Sequence, residues 1–440
     1  MRFLAPDMFS ELRLQIPSLE WDIPDDVAFH LGDRQQMQDI TTAFLLLSRP
    51  WMPIVNGRRH LAAITNPLLV PMRRPRALLT LCMKLYPLPP DDKVSDEARH
   101  SLYLVIKKFY ADVERVEDPC LEIMQAAVLI AVFEMGDAIY PAAYFTIGAL
   151  ARYGLALGLD KINQHTTGAG LGITAGASWI DIEEMRRVWW GALILDSLST
   201  TDPLYEDYLP VDDEKFRSAT STPEDATRIS EGFNFKMGAF ARLCQATFLI
   251  SKALELTRKL IHHDDVNPTT SDPSYDLTQL CRTLEALVRV NEFEVTVRRL
   301  AFCAQSIVSY LGIFVLQQHH WQHAKLGAAA TPGGAKRSIF PETQAAVDTL
   351  DRISKTLQQS GSDALQDLRG GRCTVFLVDL VYQALLILMT EGVGRAVTGF
   401  EDKKESLKWL LSHLRLRWPL ASVYEGIIQA REAMLAAAAV

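Results

Sequence analysis

Apolar residues recur at helical spacing through most of the chain, and runs that alternate β-branched with polar residues are nearly absent. This pattern predicts an all-α fold with no significant sheet. The two most apolar windows, residues 121–135 and 373–389, are each interrupted by polar residues, which indicates buried core helices and not membrane spans. Proline and glycine bound the helices, which are predicted at residues 35–48, 76–86, 96–111, 120–136, 141–158, 180–199, 230–261, 275–323 (broken), 341–359, 373–398 and 403–435.

The same pattern suggests how the chain is organised. We expect residues 1–34 to form an N-terminal extension and residues 35–435 to form a single large multi-helix domain. Two segments rich in small and polar residues, about 163–178 and 325–339, are expected to be flexible loops within that domain.

The charge balance argues against an autonomous DNA-binding domain. The chain has 53 acidic and 45 basic residues, a formal net charge of −8, whereas a DNA-binding domain presents a cationic surface to the phosphates. The densest basic cluster allows two interpretations, a weak nuclear-localisation patch or, as we favour, a solvated loop between helices. The cluster consists of Arg73, Arg74 and Arg76, with Arg58 and Arg59 upstream.

The six cysteines lie mostly within apolar runs, which indicates small buried side chains in a reducing compartment. A binuclear zinc cluster also contains six cysteines, but it needs closely spaced ligand pairs. No two of these cysteines lie within one helical turn of each other, so we expect no zinc cluster among them. They are Cys82, Cys120, Cys244, Cys281, Cys303 and Cys373.

Two consecutive segments in the middle of the chain predict closely packed helices. Residues 121–134 are apolar on nearly all sides of a helix, which is typical of a central helix. Residues 141–160 place Gly148 and Gly154 inside a helix, where each glycine costs about 1 kcal/mol relative to alanine. We therefore expect both glycines to allow neighbouring helices to approach closely.

A third segment, residues 182–198, predicts a helix with acidic residues in its first turn, where the helix dipole favours them. One face buries Trp189 and ends in the carboxylate of Asp196, and an enclosed carboxylate needs a cationic partner. We hypothesise an ion pair that ties the second segment to the third, with ordinary solvent-exposed ions as the alternative. The arginine would be Arg152, Arg186 or Arg187, and the acid Asp196, Glu183 or Glu184.

The order of these motifs resembles the middle region, or fungal-specific transcription factor domain, of fungal zinc-cluster transcription factors. The resemblance spans roughly residues 35–430 and depends on an aromatic, proline-rich segment, a Gly-x-x-x-Arg helix ending in Gly-Leu, an Arg-Arg helix with a Trp-Trp pair running into Leu-Asp, and a following Leu-Pro. In this chain they are Pro50 to Val55, Gly148, Arg152 and Gly158, Arg186, Arg187, Trp189, Trp190 and Asp196, and Leu209-Pro210.

The resemblance implies a nuclear transcription regulator of a specialised metabolic pathway, without cofactor, metal or membrane partner. Such a region would bind protein partners or a small apolar effector and form homo- or heterodimers. Because these residues lack the zinc cluster, DNA would be reached only through a missing or partner-supplied one. We hypothesise an effector pocket near Tyr144, Phe145, Trp189 and Trp190; the favoured alternative is that these aromatics fill the core.

Motifs that suggest catalysis or metal binding are incomplete. Asp212-Asp213-Glu214 is similar to the magnesium motif of class I terpenoid cyclases, but no second acidic motif accompanies it. His319 and His323 share a helix face without a third ligand in the same turn, which favours a polar helix end. We therefore expect no enzyme. Two alternatives stay open: a stand-alone interaction module that heterodimerises with an intact factor and, less favoured, a repurposed all-α enzyme.

Overall fold

The computed structural model describes residues 22–65, 72–88, 93–164, 177–196, 203–232, 237–262, 273–298, 304–328, 339–360, 368, 373–390 and 399–438. Within these ranges the chain forms sixteen α-helices and one small antiparallel sheet of two strands. The predicted all-α class is confirmed. Most of the two predicted flexible loops, 163–178 and 325–339, lies outside the described residues.

The chain divides into two compact units, residues 1–244 and 245–440, and the boundary falls within helix α10. Residues Tyr208–Leu209 (β1) and Thr227–Arg228 (β2) form the sheet of the first unit, with Tyr208 opposite Arg228. The helices of this unit are α1 (Asp25–Leu31), α2 (Arg34–Ser48), α3 (Gly57–Thr65), α4 (Arg74–Leu85), α5 (Lys93–Val116), α6 (Leu121–Gly136), α7 (Ala142–Ala156), α8 (Trp179–Leu195), α9 (Asp213–Ser218) and the start of α10 (Ala239–His262).

Helix α6 is the centre of the first unit. Every residue from Ile123 to Glu134 is buried, because the helix is apolar on all sides and α4, α7 and α8 pack around it. The carboxylate of Glu134 accepts a hydrogen bond from the Tyr103 hydroxyl at 2.8 Å and forms an ion pair with the Lys107 ammonium at 2.9 Å. The prediction of a central helix at 121–134 is confirmed.

Helix α7 begins after Pro141 and ends before Gly158, as predicted for residues 141–158. The φ of Gly158 is 68°, in the left-handed region that favours glycine, and its N–H donates to the Leu155 carbonyl at 2.9 Å. Gly158 therefore terminates the helix.

The two glycines inside α7 have different surroundings. Gly154 is buried so closely against the Trp189 ring that any side chain there would strike it, which confirms close packing at this position. Gly148 is exposed and has open space where a side chain would project. The expectation of close packing at Gly148 is wrong, because this residue lies on the solvent face of α7.

Folded structure begins earlier than residue 35. Helix α1 buries Val27 and Leu31 against α4 and α5, and the Lys84 ammonium donates to the His30 carbonyl at 2.5 Å. A helix of two turns is too short to produce a distinct hydrophobic period, so the sequence pattern did not indicate it.

The second unit is also helical, and α14 forms its apolar centre, packed against α12, α15 and α16. Its buried polar contacts include the Ser354 hydroxyl on the Ser406 carbonyl at 2.7 Å and the Trp418 indole on the Cys373 carbonyl at 3.3 Å. Among all the described helices, none has the length and apolarity needed to cross a membrane. The helices of this unit are the rest of α10, α11 (Pro273–Arg298), α12 (Ala304–Ala328), α13 (Pro341–Ser360), α14 (Phe376–Leu388), α15 (Phe400–Leu414) and α16 (Leu420–Ala438).

Candidate functional site

The first turn of α8 fixes the position of the residues that matter most. Ser178 and Asp181 form a capping box, in which the Asp181 carboxylate accepts from the Ser178 N–H at 2.8 Å. From this start, Glu183, Arg186 and Arg187 fall at positions i, i+3 and i+4, on one face of the helix. All three side chains are fully buried.

Glu183 is the acceptor at the centre of this face. Its Oε2 accepts from Arg186 Nη1 at 2.9 Å, and its Oε1 accepts from Arg187 Nε at 2.9 Å. The backbone N–H of Val211 also donates to Oε1 at 2.9 Å. One carboxylate thus neutralises charge from two guanidinium groups and binds the chain that follows the Leu-Pro motif.

Arg187 extends the network to two distant parts of the sequence. Its Nη1 donates to Asp213 Oδ1 at 2.8 Å and to the Pro53 carbonyl at 3.3 Å, and its Nη2 donates to the Val211 carbonyl at 2.7 Å. The guanidinium lies over the Phe216 ring at 4.1 Å. One side chain therefore joins the proline-rich segment, the Arg-Arg helix and the Leu-Pro segment.

Asp213 carries the network on to the start of α10. Its Oδ2 accepts from the Phe240 N–H at 3.2 Å. Gly238 approaches Asp213 so closely that an added Cβ would lie 2.7 Å from Oδ2. Glycine at 238 therefore permits this approach.

Glu184 forms a second set of contacts beside the first. Its Oε1 accepts from the Asn56 N–H at 2.9 Å and from Gln125 Nε2 at 3.0 Å, and its Oε2 accepts from Arg59 Nη1 at 3.1 Å. Asn56 Nδ2 in turn donates to the Phe216 carbonyl at 3.0 Å. Glu184 thus holds the end of the proline-rich segment against α8 and α6.

The electrostatics of the two arginines differ. Burial alone would lower the pKa of Arg187, but Asp213 and Glu183 outweigh it and raise that pKa above its ordinary value. Burial lowers the pKa of Arg186, which Glu183 offsets only in part. Burial also raises the pKa of Glu184, against the hydrogen bond from the Asn56 amide. Arg187 is therefore the better neutralised of the two cations.

The four aromatic residues proposed to line an effector pocket differ in their burial. Trp189 and Trp190 are buried, and the Trp190 indole donates to the Tyr208 carbonyl at 3.1 Å. Tyr144 and Phe145 are 63% and 66% exposed on α7, with their rings in edge contact at 5.7 Å. The alternative that these aromatics fill the core is therefore wrong for Tyr144 and Phe145, whereas the pocket near the four residues stays a prediction.

Two of the hypothesised ion pairs exist, but they lie within one helix and do not link the second segment to the third. Arg186 and Arg187 bind Glu183 within α8 and do not tie α7 to α8, and Arg152 is exposed on α7. Asp196 is half-buried at the C-terminal end of α8, and Pro210 is buried after β1.

The basic cluster is not a solvated loop. Arg58 and Arg59 belong to α3, and Arg74 and Arg76 belong to the first turn of α4. Arg76 pairs with Glu122 at 3.5 Å, and Arg74 is buried. Most of these arginines therefore lie in helices and not in a loop.

The acidic motif and the histidine pair also have structural roles. Asp212 caps α9 by accepting from the N–H groups of Glu214 and Lys215 at 3.0 and 3.2 Å, while Asp213 is engaged by Arg187. His319 is buried in α12, so the expected polar helix end is wrong there. Throughout the described ranges, no group of three or more His, Cys, Asp or Glu residues is arranged to hold a metal ion.

The described cysteines are free thiols and lie inside the structure, with Cys120 half-buried. Burial raises the pKa of Cys120 and Cys281 to about 12 and that of Cys373 to about 11. Thiols of this kind are unreactive at neutral pH. Cys303 lies outside the described residues.

Comparison with known proteins places these motifs in a family. Residues 42–202 match the fungal specific transcription factor domain. The chain is 41% identical over 138 residues to "Transcription factor BOA15" of Botryotinia fuckeliana, a match that covers 31% of this chain and 72% of that protein. It is 26% identical over 165 residues to "Azaphilone cluster-specific transcription factor azaR" of Aspergillus niger, which covers 36% of this chain and 35% of that protein.

Proposed function

The chain belongs to the fungal specific transcription factor domain family, and we propose that it is the regulatory region of such a factor, controlling genes of a specialised metabolic pathway. It is a transcription regulator, and its relatives are transcription factors, not enzymes. The similarity to a relative that is named cluster-specific supports this pathway class.

One observation carries the proposal, namely the buried network of Glu183, Arg187 and Asp213. Its carboxylates are engaged by arginine or by backbone amides, so they are not available as catalytic acids or metal ligands. Removing one partner of such a buried ion pair is strongly destabilising, because it leaves an uncompensated buried charge. A rigid, motif-joining network suits a scaffold that presents binding surfaces.

DNA contact would be supplied from outside these residues. The cysteine spacing provides no zinc cluster, and the net charge of −8 does not favour binding to phosphates. A cluster in another segment of the same protein, or in a dimer partner, would bring the domain to its target genes. Such a role requires localisation in the nucleus.

The test is a tethering assay in a fungal host. Residues 1–440 are fused to a heterologous DNA-binding module, and a reporter with matching sites is measured against the module alone. We expect the fusion to raise or lower reporter expression, and a fluorescent fusion to accumulate in the nucleus. A fusion that is soluble and abundant but leaves the reporter at the level of the module alone contradicts the proposal.

A second candidate function, a stand-alone module that heterodimerises with an intact zinc-cluster factor, is favoured by the exposed aromatic residues of α7 and the turn before it. Tyr144 and Phe145, together with Tyr140 at 82% exposure, present large apolar surface to solvent. Aromatic residues of this kind are enriched at protein interfaces.

Co-purification from the native host discriminates this alternative. A tagged chain should retain an intact zinc-cluster factor, and serine at both Tyr144 and Phe145 should reduce the retained amount at least several-fold. Leu46→Ser is the matched control, because Leu46 is an exposed apolar residue on α2. Equal retention by all variants would exclude the α7 surface.

A further inference from the structure

One face of the C-terminal helix α16 is apolar and is not covered by any described part of the chain. Eight residues share a sector of about 140° on this helix, and all of them are exposed. None of them is charged, whereas the solvent face of a helix normally carries charged and polar residues. The face consists of Ser422, Val423, Gly426, Ile427, Ala430, Ala433, Met434 and Ala437.

This face contains a heptad seam. Five of its residues are separated alternately by four and three positions, which is the spacing of the a and d positions in a coiled coil. The three large side chains of the seam, Val423, Ile427 and Met434, are 48%, 42% and 71% exposed. A regular, exposed apolar surface of this kind marks an interaction site. The seam runs through Val423, Ile427, Ala430, Met434 and Ala437.

Gly426 has no packing reason within the described part of the chain. It lies in the interior of α16, where glycine is unfavourable, and an added Cβ would meet no atom within 4 Å. From Gln429 to Ala437 every residue is exposed except the half-buried Glu432. The last turns of α16 therefore have room on this face for a second helix, and glycine would allow that helix to approach closely.

We propose that this face binds the same face of a second copy of the chain, with the two helices antiparallel about a two-fold axis at Ala430. A two-fold contact requires a surface that is complementary to itself. In this register each large side chain of the seam lies opposite a small residue of the other helix, and Ala430 lies opposite itself. The opposing pairs are Val423 with Ala437, Gly426 with Met434, and Ile427 with Ala433.

The same register fits knobs-into-holes packing. In such packing one side chain inserts between residues i, i+3, i+4 and i+7 of the facing helix. Met434 lies at the level of one such hole, which contains a glycine, and Ile427 lies at the level of another, which contains three alanines. These small residues leave room for the inserted side chains. The two holes are formed by Val423, Gly426, Ile427 and Ala430, and by Ala430, Ala433, Met434 and Ala437, of the second copy.

Two features favour a second copy over other occupants. An unrelated protein would not require this self-complementary register. A membrane surface attracts helices rich in lysine and arginine, but α16 has a single basic residue, Arg431, and the chain has a net charge of −8. Because one pair of helices is small for an interface, we expect a reversible dimer with a Kd on the order of 10 µM. This inference goes beyond the proposed regulatory function and does not depend on it.

Sedimentation velocity of the purified full chain tests the proposal without DNA, reporter or native partner. Between about 1 and 100 µM, we expect the weight-average mass to rise from the monomer value of 49.3 kDa towards twice that value. A chain that stays monomeric throughout overturns the proposal, and so does a monomer that co-sediments with phosphatidylserine vesicles. Either failure leaves the proposed regulatory function untouched.

Two variants and a matched control test whether the contact lies on α16. Ile427→Glu introduces an unpaired carboxylate into the seam and should raise the Kd about tenfold or more. Gly426→Leu fills the hole for Met434 and should also raise the Kd, while the Tm of its monomer stays unchanged or increases, because leucine favours a helix. Leu46→Glu, at an exposed apolar position of α2, should dimerise like the unchanged chain. An unchanged Kd in either α16 variant overturns the proposal.

Cysteine cross-linking tests the antiparallel register. Ala430→Cys places a thiol beside its own copy at the two-fold axis, so mild oxidation should produce a disulfide-linked dimer. Gly426→Cys is the control, because its two copies would lie about 12 Å apart along the helix, beyond the reach of a disulfide. The unchanged chain should not cross-link, because its described cysteines lie inside the structure. No cross-link for Ala430→Cys, or an equal one for Gly426→Cys, overturns the register.

Discussion

Arg187 donates to Glu183, one turn earlier on α8, at 2.9 Å, and both side chains are fully buried. The same guanidinium reaches Asp213, 26 residues later, at 2.8 Å. A local ion pair is thereby extended into a long-range contact. Arg187 thereby joins α8 to the start of α9, and we propose that its role is structural.

Arg187→Met should lower the free energy of unfolding by about 3–5 kcal/mol, because Glu183 would be left as a buried charge with less compensation. Urea titration followed by tryptophan fluorescence measures the effect. Arg152→Met, at an exposed position, should change the value by no more than about 0.5 kcal/mol. Equal effects of the two replacements would contradict a structural role for Arg187.

The double variant of Arg187→Met with Glu183→Gln tests the coupling between the two residues. The second change removes the uncompensated charge. We therefore expect the double variant to lose about 1–3 kcal/mol less of the free energy of unfolding than the two single variants lose together. The measurement is a double-mutant cycle in urea. Additive losses would mean that the two side chains do not act as a pair.

The two glycines of α7 should respond to alanine in opposite directions. Gly154→Ala places a methyl group against the Trp189 ring and should destabilise by about 1–3 kcal/mol. Gly148→Ala projects into open space and should stabilise by about 0.5–1 kcal/mol through helix propensity. Differential scanning calorimetry measures the Tm of both variants. A higher Tm for Gly154→Ala or a lower Tm for Gly148→Ala would contradict the packing described for α7.

His60 should make stability depend on pH. Burial, and then the charge of Arg76, lower its pKa from 6.5 to about 4, against a smaller opposing effect of Glu122. The unfolded chain therefore binds more protons than the folded chain between these values, so stability falls as pH decreases from about 6.5 to 4. The whole interval corresponds to about 3 kcal/mol at this site.

The check on His60 is a comparison of variants at several pH values. His60→Gln should flatten the pH dependence of unfolding between pH 6.5 and 4, whereas His100→Gln, at an exposed position of α5, should leave it as it is. Because His60→Gln and the unchanged chain share all other titrating groups, the difference between those two proteins isolates His60. If His60→Gln and the unchanged chain showed the same slope of unfolding free energy against pH, the pH dependence could not be assigned to His60.

The acidic motif of α9 should behave as part of the fold and not as a metal site. Asp213→Asn weakens its ion pair with Arg187 and should cost more stability than Asp212→Ala, for which loss of an N-cap predicts about 1 kcal/mol. Magnesium chloride at equal ionic strength should give no stabilisation beyond sodium chloride. A specific rise in Tm with magnesium would require the terpenoid-cyclase alternative to be considered again.

The long helices could be predicted because their hydrophobic periods are continuous. Residues 120–136, 141–158 and 180–199 correspond closely to α6, α7 and α8. The helices that were missed are short ones, such as α3 and α9, in which too few turns exist to establish a period. Short elements are stabilised by tertiary contacts that a local pattern does not contain.

The candidate site could be predicted only in part. The pairing of Arg186 and Arg187 with Glu183 follows from their spacing on a helix, which the sequence shows directly. The role of Asp213 could not be read from local sequence, since the intervening chain must turn back to α8. Its acidic neighbours instead suggested a metal motif.

The solvent face of α7 was misjudged for a different reason. Both faces of this helix are rich in apolar or small residues, so periodicity does not distinguish the buried positions Thr146, Leu150 and Gly154 from the exposed Tyr144 and Phe145. The core prediction assumes that large apolar side chains are buried, and Tyr144 and Phe145 are exceptions to that rule. Exposed apolar patches of this kind often mark interaction sites.

The hydrogen bonds of Arg187 indicate the shortest fragment of the first unit that should fold on expression. A fragment that stops at residue 202, where the family match ends, retains Glu183 and the Pro53 carbonyl but loses Asp213 and Val211. Two of the four acceptors of a wholly enclosed guanidinium would be missing, and such a fragment should form inclusion bodies. Expression plasmids for the first unit should therefore extend at least through Phe240, whose amide completes the shell of Asp213.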